Sequence, residues 1–203
     1  MSDLLKTCHQ LMERHQVPAH IRRHSVLVAK VAHCIGAALC DEAGLALSLD
    51  TVVGGALLHD IGKHRALETG EDHAELGRQI CEKSRLNGIA EVVAQHVRLK
   101  AFDPLALPSE KEVVYYADKR VNHDAIVTLR KRRTYILDRY ARNSKVIQER
   151  IKRNFDVCQQ VEAKLFRSLS FGPDAIPQRV EDKTIGFDGL RRTEFPESSN
   201  DNR

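Results

Sequence analysis

Three observations predict an all-α fold for this 203-residue chain. Alternating runs of β-branched and polar residues long enough for a strand are few. Apolar residues instead recur at intervals of three and four, most cleanly at Ile147, Ile151, Phe155, Cys158, Val161, Leu165 and Leu169. The segments between apolar runs carry helix start and stop signals, among them Pro18, Asp72, Ser109, Gly44 and Gly62.

Taken in order, a short first helix fills residues 1 to 17. Pro18 suits the first turn of a second, which carries Ile21, Val28, Val31, Ala32 and Ile35 inward with His24 on or near that face and stops around Asp41-Glu42-Ala43-Gly44. Asp50 is the expected N-cap of a helix over 51 to 61, whose Gly54 and Gly55 permit close approach by a neighbour before Gly62 ends it. His59 and Asp60 then share a last turn, about 100° apart, so both can border one cavity. Asp72 caps a helix from His73 to about Arg85, and Asn87 opens another through His96. A linker with Pro104 and Pro108 leads to a capping box, Ser109 to Glu112, at the start of the helix bearing Asp118. The periodic helix over 145 to 169 follows, and the composition of 171 to 203 reads as an irregular tail, its last ten residues disordered. Ile185-Gly186-Phe187 and Leu190 are the apolar residues with which that tail can dock.

Composition narrows the class. No run of about eighteen uncharged apolar residues is present, and Met1-Ser2-Asp3-Leu4-Leu5-Lys6 lacks the basic-then-apolar order of a secretory signal, so a cytoplasmic location is expected. Five cysteines without a CxxC pair support neither a disulfide framework nor a cysteine-rich zinc site and read as reduced, helix-packing thiols. The net charge of +4 is too small to imply nucleic acid, but residues 119 to 153 hold twelve Lys/Arg against three Asp/Glu. A positive field beside a site draws in anions such as phosphates.

The most informative stretch is Ala56-Leu57-Leu58-His59-Asp60-Ile61-Gly62-Lys63, in which an apolar run ends in an imidazole and a carboxylate. An ionised carboxylate is costly to bury unless it is paired or bound to a metal, and His with Asp offers one borderline and one hard ligand for a divalent cation. Partners are available on other helices: His24 upstream, and His73, His96 and Asp118 downstream.

The order His24, His59-Asp60, Asp118 resembles the H…HD…D signature of the HD superfamily of metal-dependent phosphohydrolases, and HDIG with a following Lys is similar to its HDIG branch. The resemblance spans about residues 18 to 125 and implies a compact helical HD domain, with a helix before it and basic helices over 126 to 170 packed on it. Carried over residue by residue, it implies that His24, His59, Asp60 and Asp118 hold one metal ion, and that Asp60 bridges to a second held by His73 and His96. Four histidines and two carboxylates form the mixed N/O set of a dinuclear iron or manganese site, with other divalent transition metals or magnesium possible, not of a closed structural zinc. The cyclic-dinucleotide branch is disfavoured, because Gln95 precedes a single histidine and no Gly-Tyr-Pro occurs. The chain looks closer to bacterial HD hydrolases that cleave bis-nucleoside tetraphosphates symmetrically.

The implied activity is hydrolysis of a phosphate ester or anhydride of a nucleotide or related metabolite by metal-activated water. Asp60 and Lys63 are the expected catalytic residues, and Lys63, Lys119 and Arg120 the expected contacts to substrate phosphate. The implied partner is a phosphorylated small molecule, without membrane, with nucleic acid disfavoured and oligomeric state open. Two other readings compete: a non-catalytic, metal-stabilised binding module using the basic surface 119 to 153, and a diiron oxygenase on the same ligands. His9, His15, His20, His33, His64 and His123 have no motif role.

Overall fold

The most apolar helix of the sequence lies at the centre of the fold. A computed structural model describes residues 2–182, beginning with α1 (Ser2–Arg14), α2 (Ala19–Ala43) and α3 (Leu49–Leu58). There follow α4 (Lys63–Thr69), α5 (His73–Lys83), α6 (Asn87–Gln95) and α7 (Glu110–Lys119). Every residue of α3 from Val52 to Leu58 is buried, because α3 packs against α1, α2, α6 and α7 at once. Gly54 and Gly55 make that crowding possible. A Cβ at Gly55 would stand 2.5 Å from Val92 Cγ1 of α6, and one at Gly54 would stand 2.4 Å from Ile89 Cδ1, so only a side-chain-free surface lets the two helices approach so closely.

Helix boundaries follow local chemistry. Gly44 closes α2 in the left-handed region, φ 66°, and its N–H donates to the Leu39 carbonyl. Ser48, not Asp50, caps α3: its hydroxyl accepts from the Thr51 N–H at 3.2 Å, while Asp50 sits in the first turn, where a negative charge is also favourable. The helix stops at Leu58, three residues short of the expected end, and His59 is its C-cap. Asp72 accepts from the N–H groups of Ala74 and Glu75, as its sequence position predicts. The capping-box carboxylate of Glu112 accepts from Ser109 N at 3.0 Å and Ser109 Oγ at 3.1 Å. Its other oxygen is paired with Lys164 at 2.8 Å, and both side chains are buried.

Lys164 belongs to α9 (Lys145–Phe166), which follows α8 (Leu129–Tyr140) and packs against both α8 and α7. Phe155, Cys158, Val161 and Leu165 are buried along the expected face. Ile147 is 40% exposed, because that face closes against the core only from its middle turns onward. Between α7 and α8 the chain makes an antiparallel hairpin, β1 (Val121–Asn122) and β2 (Ala125–Ile126), which helical periodicity did not foretell. Its first loop residue, His123, has φ 55°, a region that His, Asn and Asp enter more readily than most non-glycine residues.

The tail differs from its expected irregularity. Residues 173–175 form a 3-10 turn and α10 (Ile176–Asp182) packs on α2, with Ile176 and Val180 buried. One apolar pair at i, i+4 was too little to stand out as a period. Ile185, Gly186, Phe187 and Leu190 lie outside the described residues. The five cysteines are free, four of them buried, as a reduced, packing role requires. No described helix is long and apolar enough to cross a membrane.

The close contact of α3 with α6 gives a direct test. Gly55→Val should lower stability by about 1–3 kcal/mol through overpacking against Val92, read as a lower midpoint in thermal denaturation; an unchanged midpoint would contradict the packing described.

Candidate metal centre

The end of α3 and the end of α6 use the same local device. The last carbonyls of a helix have no intrahelical partner, and in both helices an imidazole three residues further on occupies one of them. His59 Nδ1 donates to the Ala56 carbonyl at 2.7 Å, and His96 Nδ1 donates to the Val93 carbonyl at 2.7 Å. His24, in the interior of α2, directs Nδ1 to the carbonyl of His123 in the hairpin at 3.0 Å. A ring nitrogen facing a carbonyl carries the proton, so the other nitrogen of each neutral ring presents its lone pair. Three histidines from three elements therefore aim Nε2 into one space.

That space is bordered by two carboxylates. Asp118, in the last turn of α7, places Oδ1 3.2 Å from His24 Nε2 and 3.6 Å from His59 Nε2. Asp60 Oδ2 lies 3.4 Å from His59 Nε2, while its Oδ1 lies 3.5 Å from His73 Nε2 and 3.6 Å from His96 Nε2. The Nε2 atoms of His73 and His96 face each other at 3.1 Å. Two groups result, His24 with His59 and Asp60, and His73 with His96 and Asp60, each with its ligand atoms within 4.8 Å of one another. Asp60 is the member they share, one oxygen turned toward each group, and Asp118 adjoins the first.

Burial makes this arrangement demanding. His59 is 0% exposed, Asp60 is 3% exposed, and His59 Nε2 has no hydrogen-bond partner. Burial alone would raise the carboxyl pKa of Asp60, but His59, His96 and Lys63 outweigh it and hold the group well below the ordinary carboxylate value. Asp118 is likewise held low against burial by Lys119, His24 and His59. Burial and then the neighbouring His96 push His73 down to about 4, and burial also lowers His96. His59 moves the other way: burial opposes its charge, but Asp60 and Asp118 outweigh it. Ionised carboxylates, converging imidazole nitrogens and an orphaned buried nitrogen are the donor chemistry of a divalent-metal site.

The remaining expected site residues divide. Lys63 donates to Asp60 Oδ2 at 2.9 Å, and its side chain remains 44% exposed. Lys119 is buried; its Nζ donates to Asp118 Oδ2 at 3.1 Å and to the His96 carbonyl, tying the end of α7 to the end of α6. Arg120 corrects the sequence expectation. It is 2% exposed and its guanidinium bonds Tyr116 Oη, the Val127 carbonyl at 2.7 Å and the Pro173 carbonyl at 3.0 Å, so it anchors the hairpin and the C-terminal turn and meets no substrate. Its position beside Asp118 in a basic run concealed that burial.

Sequence reasoning missed what orients the ligands. Ala56, Val93 and His123 act through main-chain carbonyls, which leave no mark in residue type. By its place in the sequence Gly62 reads as a helix terminator. Its φ is −80°, and the reason for glycine is space: a Cβ there would stand 2.3 Å from the His73 carbonyl and 2.8 Å from Gly77 N. The turn after Asp60 thereby lies directly on α5, which holds His73 beside Asp60.

The family model of the HD domain matches residues 21–123, which run from the turn before His24 to the hairpin carbonyl that orients it. The chain belongs to the HD domain family. A relative from Pediococcus pentosaceus named Ribonuclease Y 1 is 34% identical over 104 residues, covering 47% of this chain and 19% of the relative. The chain thus matches about a fifth of that relative's length. No solved structure matches it. HD domains are metal-dependent phosphohydrolases, and the His and Asp groups described here are ones that can hold a metal.

The contact at Gly62 tests how the HD turn sets the second group. Gly62→Ala forces backbone apart at His73, so the melting temperature should fall and the further rise on adding Mn²⁺ should shrink, since a ligand stabilises in proportion to its preference for the native state. An unchanged melting temperature and an unchanged Mn²⁺ response would contradict this role.

Proposed function

We propose that this HD domain protein hydrolyses a phosphate ester or anhydride of a nucleotide, using two divalent metal ions that share Asp60. The observation that carries the reading is the shared carboxylate: one oxygen of a buried Asp60 lies beside His59, and the other lies beside His73 and His96. In this reading His24, His59, Asp60 and Asp118 hold one ion, and Asp60, His73 and His96 the other, with iron or manganese the best match to the ligands. Such ions supply Lewis acidity toward a phosphoryl oxygen and a bound water that ionises near neutral pH.

The chain's own residues do the rest. His59 and His96 are fixed in orientation by carbonyls of their own helices, so the ligand set is preorganised before substrate arrives. Asp118, held ionised by Lys119 and by His24, stays in the carboxylate form that a metal ligand requires. Lys63 uses one of its three donors on Asp60 and keeps two for a phosphate oxygen approaching from the exposed side of the site. His73 keeps 28% of its side chain accessible, whereas His59 and His96 are buried. The relative's name contains ribonuclease, and a phosphodiester in RNA asks the same chemistry of the centre as a nucleotide does. A module freed from catalysis has no need of six such groups in one space, and the Lys63 ammonium favours a phosphate over the substrate of an oxygenase.

The test is chromatographic analysis of the hydrolysis products formed with Mn²⁺ or Fe²⁺ under anaerobic conditions, across nucleoside mono- and triphosphates, bis-nucleoside tetraphosphates and a short RNA. His59→Ala should lose metal and turnover together. Lys63→Ala should retain metal and raise KM roughly tenfold, the loss of about one charge-assisted hydrogen bond. Full turnover in His59→Ala, or oxygen uptake without hydrolysis of any of these substrates by the parent protein, would overturn the proposal.

A further inference from the structure

A cavity of about 480 Å³ lies between the segment after α6 and the outer face of α9, lined by Arg98, Leu99, Arg150, Arg153, Asn154 and Val157. Its walls are fixed to each other. Asn154 Nδ2 donates to the Val97 carbonyl at 3.1 Å, and the same residue accepts Tyr115 Oη at its carbonyl, 2.7 Å, and at its side-chain oxygen, 3.0 Å. The buried tyrosine of α7 thus pins α9, and α9 pins the segment that leaves His96.

The rim carries unspent charge. Arg98, Arg150 and Arg153 are all exposed, and among the described residues none of their guanidinium groups has a hydrogen bond or close ion pair. The acidic side chain nearest in sequence, Glu149, is paired with Lys152 at 2.9 Å. Glu149 also feels the charge of Arg153, but no carboxylate lines the recess itself, so its three cations create a local positive field that an anion relieves. Leu99 and Val157 give the recess an apolar floor. The groove is also near the metal centre: Arg98 follows His96 by two residues, so its Cα is within about 7.6 Å of the His96 Cα.

We propose that this groove binds a nucleoside polyphosphate, its phosphate chain against Arg98, Arg150 and Arg153 and its base over Leu99 and Val157. Charge selects the length of the ligand. A phosphate monoester carries about −1.5 to −2 at neutral pH, which leaves part of the charge of three guanidinium groups unmatched, whereas a triphosphate chain carries more. Guanidinium forks bind phosphate oxygens in pairs, which fixes orientation as well as charge. The groove's service as the specificity site of the hydrolase rests on the phosphohydrolase reading above; its binding of polyphosphate does not.

The test uses the full chain in EDTA, with inorganic tripolyphosphate, ATP, AMP and a ten-nucleotide single-stranded RNA as probes in calorimetry. Tripolyphosphate and ATP should bind at least tenfold more tightly than AMP, and R150A/R153A should weaken both at least tenfold. A control pair on α8, R130A/K131A, should leave binding unchanged. Both substitutions fall at exposed helical positions, and the melting temperature of each variant reports whether it folds. Binding undiminished in R150A/R153A, or AMP binding as tightly as ATP, overturns the proposal, as does RNA binding tighter than ATP through the same arginines. Hydrolysis of bis-p-nitrophenyl phosphate with Mn²⁺ separates the two readings, since this small ester reaches the centre without the groove. R150A/R153A should leave it unchanged. Groove binding in a parent protein that hydrolyses neither this ester nor any substrate of the nucleotide panel with Mn²⁺ would uphold the groove and refute the phosphohydrolase.

Discussion

Asp60 is an ionised carboxylate almost wholly withdrawn from water, and the surrounding architecture answers the cost of keeping it there. Isolated, such a charge loses several kcal/mol or more of solvation. Here it is surrounded by His59 and Lys63 of its own turn and by His73 and His96 from two other helices' ends. The imidazoles do not simply neutralise it: two of them spend their proton on helix-end carbonyls, leaving lone pairs that ask for a cation of their own.

Helix packing serves that convergence. The side-chain-free face of α3 lets α6 come close enough for His59 and His96 to stand with ring centroids 5.0 Å apart. Gly62 does the same for α5, bringing His73 to within 5.1 Å of His96 by ring centroid. On the other side the hairpin after α7 delivers the His123 carbonyl to His24, and Arg120 braces that hairpin from inside. Lys119 couples the two halves by touching both Asp118 and the backbone of His96. Removal of α2, α6 or α7 would leave a buried charge or donor without a partner, which makes the centre a source of fold specificity as well as of chemistry.

Much of this was legible in the sequence, because side-chain identity was the signal. Apolar spacing revealed α2 and α9, Asp72 and the Ser109–Glu112 box announced their helices, and the ordered His and Asp residues marked the groups that the structure brings together. What was not legible lacks residue identity. A carbonyl acceptor at Ala56, Val93 or His123 reads as any other peptide, and a two-residue strand is too short to show alternation. A charge run likewise gives no sign of which cation turns inward, so Arg120 and Lys119 read as surface while Arg150 and Arg153, in the same run, are surface indeed. Gly62 shows the same limit: glycine announces freedom of space or of backbone, and only the neighbour at 2.3 Å tells which.

The central claim, that Asp60 joins two metal groups, is tested most directly by anaerobic calorimetric titration with Mn²⁺. The parent chain should bind two ions, His73→Ala/His96→Ala one, and Asp60→Ala neither with comparable affinity. A single ion in the parent protein, or two retained by His73→Ala/His96→Ala, would contradict it.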